Sequence, residues 1–236
     1  MGATATDTEP DSIDELLVRL GGISAKRLRY NPPPGRATAN DVVRLRNKTR
    51  RLYELVDGTL VEKVTGAPES FVAVQVSTLL NVYSAQHGNL GMVLGADGMM
   101  TLMKGLVRIP DVSFTNWDRL PDRRVPSDPI LDLAPDLAVE VLSEGNTREE
   151  MERKLKEYFH SEVRLVWYVD PRKRTVHVYT SPDDATELGA GDTLDGGDVL
   201  PGFSVEVDRL FDQLAPVTKP AKPPKSAGGK KPKKRK

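Results

Sequence analysis

Apolar positions in the first fifty residues fall into short helical groups, and beyond them the spacing changes to that of strands. Ser12 precedes Ile13, Leu16 and Leu17, with Glu15 three positions on, and Gly21–Gly22 follows. A hydroxyl cap, an acid three residues later and a glycine stop together predict a short helix. Thr38 and Asp41 repeat the signature ahead of Val42, Val43 and Leu45, and NPPPGRATAND (31–41) forms the linker leading into it. These residues read as a helical arm laid on a domain.

From residue 51 the period shortens. RLYELV, Asp57–Gly58 and TLVEKV predict a hairpin, because Asp and Gly tolerate the positive φ of a two-residue turn. Pro68 to His87 carries Phe71, Val72, Val74, Val76, Leu79, Leu80 and Tyr83, which suits a helix packed on a sheet. GMVLG, MMTLM, RIPDVSF and DLAVEVLS follow as four strands. Thr147 then opens a helix to about His160, with Glu150 placed to cap it reciprocally. RLVWYVDP and TVHVYT are two further strands, and DTLDGGDVLPGFSVEVDRLF is hairpin-like before a final turn. Strand groups separated by two helices, with mixed hairpin and crossover links, predict an α/β (α+β) fold with a mixed sheet core flanked by helices. No GxGxxG follows a strand and no Walker A sequence occurs, so no organic cofactor is expected.

Composition changes this picture at one end. The chain has 236 residues and a formal net charge of zero. KPAKPPKSAGGKKPKKRK (219–236) holds nine of the 34 basic residues and no acid, leaving 25 basic against 34 acidic groups elsewhere, a body of −9. Proline, glycine and like-charge repulsion predict a disordered tail. Its last cluster, Lys230, Lys231, Lys233, Lys234, Arg235 and Lys236, suits either a nucleic-acid tether or a solubilising extension. The expected organisation is a flexible start with a short helix (1–22), a domain (23–211) and the tail (212–236). No apolar run approaches bilayer length and the start lacks the features of a signal peptide, so a cytoplasmic, non-membrane protein is expected. Cysteine is absent, which excludes thiol nucleophiles and cysteine-based metal sites, and His87, His160 and His177 show no ligand spacing.

Candidate chemistry lies in carboxylates on strands. In LAVEVL (137–142), alternation places Glu140 on the face shared by Ala138 and Leu142. A carboxylate there needs a cation, hydrogen bonds or a metal. Asp111, in RIPDVSF, raises the same question, and Pro110 beside it marks an edge, a bulge or a strand end. Were the two strands adjacent, both acids would converge on a hard oxygen-seeking cation, Mg²⁺ or Mn²⁺. Glu150, Lys154 and Tyr158 recur at intervals of four along one helix face, so Lys154 can point back over the Glu140 strand; an ordinary solvated charge stripe has the same spacing. Glu54 either completes a metal set or closes a salt bridge, and Gln75 either bonds a site water or sits on a helix surface.

The series YELVDGTLVE, IPDVSF, DLAVEVLSEGNTREEMERKLKEY, LVWYVDP and VHVYTS, spanning about Ile23 to Phe211, closely resembles the Uma2 family of the PD-(D/E)xK restriction-endonuclease-like superfamily. The resemblance makes Pro110–Asp111 the PD pair, Glu140 the second acid and Lys154 a lysine moved from the strand to the next helix. Glu54 matches an early family glutamate, Glu150 a position where aspartate is common, and Tyr158 the tyrosine of K-x-x-x-Y. The superfamily's usual lysine place is Leu142 here, and a histidine frequent near the first long helix is Phe71 or a neighbour. What the resemblance implies is a metal-dependent DNA endonuclease that leaves a 5′ phosphate. Asp111, Glu140 and Glu54 would then hold Mg²⁺, Lys154 would serve catalysis, and Glu150 and Tyr158 would orient it. Restriction-like domains that cut both strands also raise a homodimer. Two alternatives stand beside it: a nuclease fold that binds nucleic acid without cutting, and a phosphodiesterase for another substrate.

Overall fold

The structure, a computed structural model, describes residues 10–215. The basic cluster at Lys230–Lys236 therefore lies outside the described residues, as does the rest of the chain from 216 on.

Local signals set most elements. Helix α1 (Ile13–Arg19) starts at Ser12, whose hydroxyl accepts the Glu15 N–H at 3.1 Å, and α2 (Ala39–Thr49) starts in a capping box between Thr38 and Asp41. Strands β2 (Tyr53–Val56) and β3 (Thr59–Glu62) turn through Asp57 and Gly58 at φ +48° and +65°. The two-residue β1 (Leu28–Arg29) pairs antiparallel to β3. Helix α3 (Ala67–Gln86) comes next, followed by β4 (Gly91–Leu94), β5 (Met100–Met103), β6 (Leu106–Arg108), β7 (Val112–Asn116) and β8 (Leu137–Val141). Helix α4 (Arg148–His160), β9 (Leu165–Asp170), β10 (Thr175–Ser181), β11 (Asp184–Leu188), β12 (Thr193–Gly196) and β13 (Leu200–Glu206) complete the order.

The strands form three sheets, ordered β1-β3-β2-β6-β5, β11-β10-β9-β8-β7-β4 and β12-β13. In the six-stranded sheet β8 and β9 run parallel, joined by α4 as a crossover, and every other pair is antiparallel. The result is the expected mixed α/β fold with helices flanking the sheets.

Two expectations need correction. RIPDVSF is not one strand: β6 ends at Arg108 in the five-stranded sheet and β7 begins at Val112 in the six-stranded one. Pro110, which has no N–H for a ladder, sits at the crossover between them. Strand β11, DATEL, escapes a hydrophobic reading because it is an exposed edge strand with no apolar alternation.

The two faces of β8 belong to different interiors. Leu137, Val139 and Val141 pack with α3 residues Val72, Val76 and Leu80 and with Leu200 and Phe203 of β13. Ala138 lies on the opposite face, among Met151, Leu155 and Tyr158 of α4 and Leu16 and Leu20 of the arm. The arm seats tightly there: a Cβ on Gly21, at φ +86°, would lie 2.5 Å from the Glu150 Cα, so only glycine permits the approach. Among the described residues no helix is long and apolar enough to cross a membrane.

Candidate active site

Asp111 and Glu140 meet because β7 and β8 are neighbours. The pairing of Val112 with Val139 puts Asp111 beside the C-terminal half of β8, where its N–H bonds the Val139 carbonyl at 2.9 Å. Its Oδ2 accepts the Val141 N–H at 2.7 Å, and its Oδ1 pairs with Lys63 Nζ at 2.9 Å. Lys63 also donates to the Ile109 carbonyl.

Glu140 projects from the α4 face of β8. Its Oε1 accepts from Lys154 Nζ at 3.0 Å and from the Tyr158 hydroxyl at 2.6 Å. Among the described residues its Oε2 has no hydrogen-bond partner. The spacing of four between Lys154 and Tyr158 is what lets both reach one carboxylate oxygen. Lys154 also donates to Glu54 Oε1 at 3.1 Å. Glu54 is closed in further by the Ile109 N–H at 3.2 Å and by Arg108, whose Nη1 reaches Oε2 at 2.7 Å. Arg108 in turn pairs with Glu157 of α4.

Charges this deep survive only because each is matched. Burial pushes the Glu54 carboxyl up, but Lys154, Arg108 and Lys63 outweigh it and hold the group well below its ordinary range. Burial pulls the Lys154 ammonium down; Glu140 and Glu54 outweigh this and hold it above its usual range. Glu140 goes the other way: burial raises it, Asp111 and Glu54 add to the rise, and Lys154 and Lys63 only partly offset them. Burial and the Glu140 charge lift the Tyr158 phenol far above neutrality, so it stays a donor.

A small cleft is lined by Glu54, Asp111, Glu140, Lys154, Lys63 and Arg27, together with Val64, Thr65, Val141 and Asn146. It offers about 20 Å³ to the centres of water-sized molecules, room for a water or a small ion but not for a sugar or base.

Other expected residues fall outside the cleft lining. Glu150 is buried in a two-pronged pair with Arg27, at 2.8 and 2.9 Å, so it does not cap α4 reciprocally; Thr147 alone caps that helix. Gln75 is half-buried on α3, and among the described residues its side chain makes no hydrogen bond and has no place in the cleft. Glu54, Asp111 and Glu140 line the same cleft, and among the described residues no three His, Cys, Asp or Glu side chains form a group that could hold a metal ion as they stand. Lys154 stands between Glu54 and Glu140, and Lys63 holds Oδ1 of Asp111.

Sequence reasoning missed Lys63, Arg27, Arg108 and Asn146. Arg108 left one signal, a charge inside a run that is otherwise buried. Lys63 and Arg27 left none, since each is an unremarkable surface residue until the β3 end and the arm are folded against Asp111 and Glu150.

The Uma2 family profile, described as "Putative restriction endonuclease", matches residues 39–208. The chain belongs to the Uma2 family. Among solved structures it resembles one described as a "putative nuclease belonging to DUF820" from Anabaena variabilis ATCC 29413, with a TM-score of 0.59 and 18% identity over 69% of this chain and 91% of that one. At that identity the likeness establishes the fold. No curated protein matches. The Uma2 match covers the cleft residues Glu54, Lys63, Asp111, Glu140 and Lys154 but stops short of Arg27, which the arm contributes.

Proposed function

We propose that this Uma2 protein hydrolyses DNA phosphodiester bonds with the help of Mg²⁺ or Mn²⁺. The observation that carries this reading is the convergence, from three separate elements, of Asp111, Glu140 and Lys154 on one small polar cleft. The donors suit a hard cation: Asp111 Oδ1, the unpartnered Glu140 Oε2 and the neighbouring Val141 carbonyl are all oxygens. Two ammonium groups already lodge among the three carboxylates, so the cleft selects positive charge. When bound there, the ion would supply Lewis acidity and a more acidic water.

The chain's own residues do the rest. Lys154 is held charged, so it acts as a hydrogen-bond donor and not as a base. Placed between Glu54 and Glu140, its Nζ would orient the attacking water and offset charge on the phosphate oxygens in the transition state. Tyr158 fixes the Glu140 carboxyl, and Arg108 fixes Glu54, so neither can follow Lys154 away from the cleft. Water attacks phosphorus and gives up a proton to solvent, the P–O3′ bond breaks, the 3′ oxygen takes a proton from solvent, and the phosphate stays on the 5′ side. A cleft with no room for a sugar argues against a pocket for a small phosphorylated metabolite. It suits a phosphate presented from outside on a strand.

The test is cleavage of supercoiled and single-stranded DNA with Mg²⁺ or Mn²⁺ by the wild type and by the Asp111→Ala/Lys154→Ala double variant, both freed of contaminating nuclease. Cutting by the wild type alone supports the reading. DNA retention without cutting by either would favour a second one, a nuclease fold that only binds nucleic acid, which the lysine seated on Asp111 supports.

A further inference from the structure

Lys63 lines the cleft, and the proposed chemistry leaves it unused. It follows the last residue of β3, and its N–H bonds the Leu52 carbonyl at 2.9 Å, which fixes its backbone beside the start of β2. Its side chain is 8% exposed and runs inward, and the ammonium ends against Asp111 Oδ1 and the Ile109 carbonyl. A carboxylate oxygen and a main-chain carbonyl are the donors that a divalent cation also takes. Asp111 Oδ2 is committed to the Val141 N–H at 2.7 Å, so an incoming ion must use Oδ1, the oxygen Lys63 holds.

We infer that Lys63 is a built-in counter-cation that competes with the divalent ion for Asp111 and thereby sets the metal affinity of the site. The inference rests on the metal-dependent reading above. Its physical basis is the cost of exchange. Without the lysine, the Asp111 carboxylate would share the cleft with Glu140 and Glu54 while Lys154, the remaining ammonium there, is engaged by those two glutamates. With it, the acid pair is neutralised and held in place before any ion arrives, but entry of the ion must break the ion pair and leave two cations close together at low dielectric. Lys63 is thus an affinity-determining residue. Lys154 bonds Oε1 of Glu140, leaves Oε2 of that residue to the ion and does not compete in the same way.

The experiment measures Mn²⁺ binding by calorimetry, and free Mn²⁺ by electron paramagnetic resonance, on full-length protein stripped with chelator. Wild type, Lys63→Met, Lys63→Gln, Lys63→Arg and Asp111→Asn are compared, with a thermal melt of each without metal. Removing the competing charge should tighten Mn²⁺ binding by about tenfold in the Met and Gln variants. Arg, which keeps the charge, should bind as the wild type does, and Asn should bind no ion. The glutamine, which keeps an N–H donor without the charge, serves if the methionine variant does not fold. Unchanged or weaker binding in the Met and Gln variants, with Asp111→Asn still abolishing it, would overturn the role of Lys63 and leave the metal-dependent reading standing. Absence of Mn²⁺ binding in all five proteins would overturn both.

Discussion

The two faces of β8 are built on opposite principles. Leu137, Val139 and Val141 bury hydrocarbon against α3 and β13, and their stability scales with area removed from water. One residue out of phase, Glu140 turns toward α4 and enters a network of Lys154, Tyr158, Glu54, Arg108 and Glu157 in which each charge depends on its neighbours. The apolar face tolerates a change of shape at modest cost. The charged face tolerates no loss of a partner, and its specificity of arrangement is what a reaction centre requires.

The largest expected effect is kinetic. If DNA is cut, Lys154→Met should lower turnover by roughly 10²–10³ while Mn²⁺ affinity changes far less, because the residue aids the transition state more than the ion. Equal losses in both quantities would make Lys154 a structural member of the network. Next comes Arg108→Met, which takes one buried cation from both Glu54 and Glu157. Chemical denaturation should show about 3–5 kcal/mol of destabilisation. A loss below about 1 kcal/mol, the scale of an exposed ion pair, would show that water reaches the network and would erase the contrast between the faces.

On the apolar face, Leu137→Ala should cost about 2–5 kcal/mol but Leu137→Met less than about 1.5 kcal/mol, since volume is nearly conserved. The spread between the two sharpens the comparison, because no volume-conserving replacement rescues Arg108. Glu54→Gln tests the pH behaviour. Glu54 titrates below its ordinary value of 4.5 when folded, so its charge contributes stability that is fully present above that pH and is lost as pH falls below it. The stability gap between wild type and Glu54→Gln should therefore be widest near neutrality and narrow in acid. Smallest is Thr38→Ala, which removes one cap of α2 and should cost about 1 kcal/mol.

Local chemistry made much of this legible. The hydroxyl caps at Ser12, Thr38 and Thr147, the Asp57–Gly58 turn and the alternation of LAVEVL each act within a few residues, and each element formed where those signals place it. The spacing of Lys154 and Tyr158 likewise predicted one shared helix face, and both reach Glu140. RIPDVSF could not be divided from its own letters, because what separates Arg108 from Val112 is membership of two different sheets.

By itself the sequence determined the alternation that turns Glu140 away from the apolar core, the helix that carries Lys154, and membership of the Uma2 family. Only the tertiary structure decided what those charges meet. Lys63 reaches Asp111 across 48 positions, Glu54 meets Lys154 across 100, and Arg27 meets Glu150 across 123. Periodicity assigns a residue to a face of its own element. A buried charge is stabilised by whichever opposite charge the packing of other elements brings within about 3 Å, and local spacing does not encode that partner.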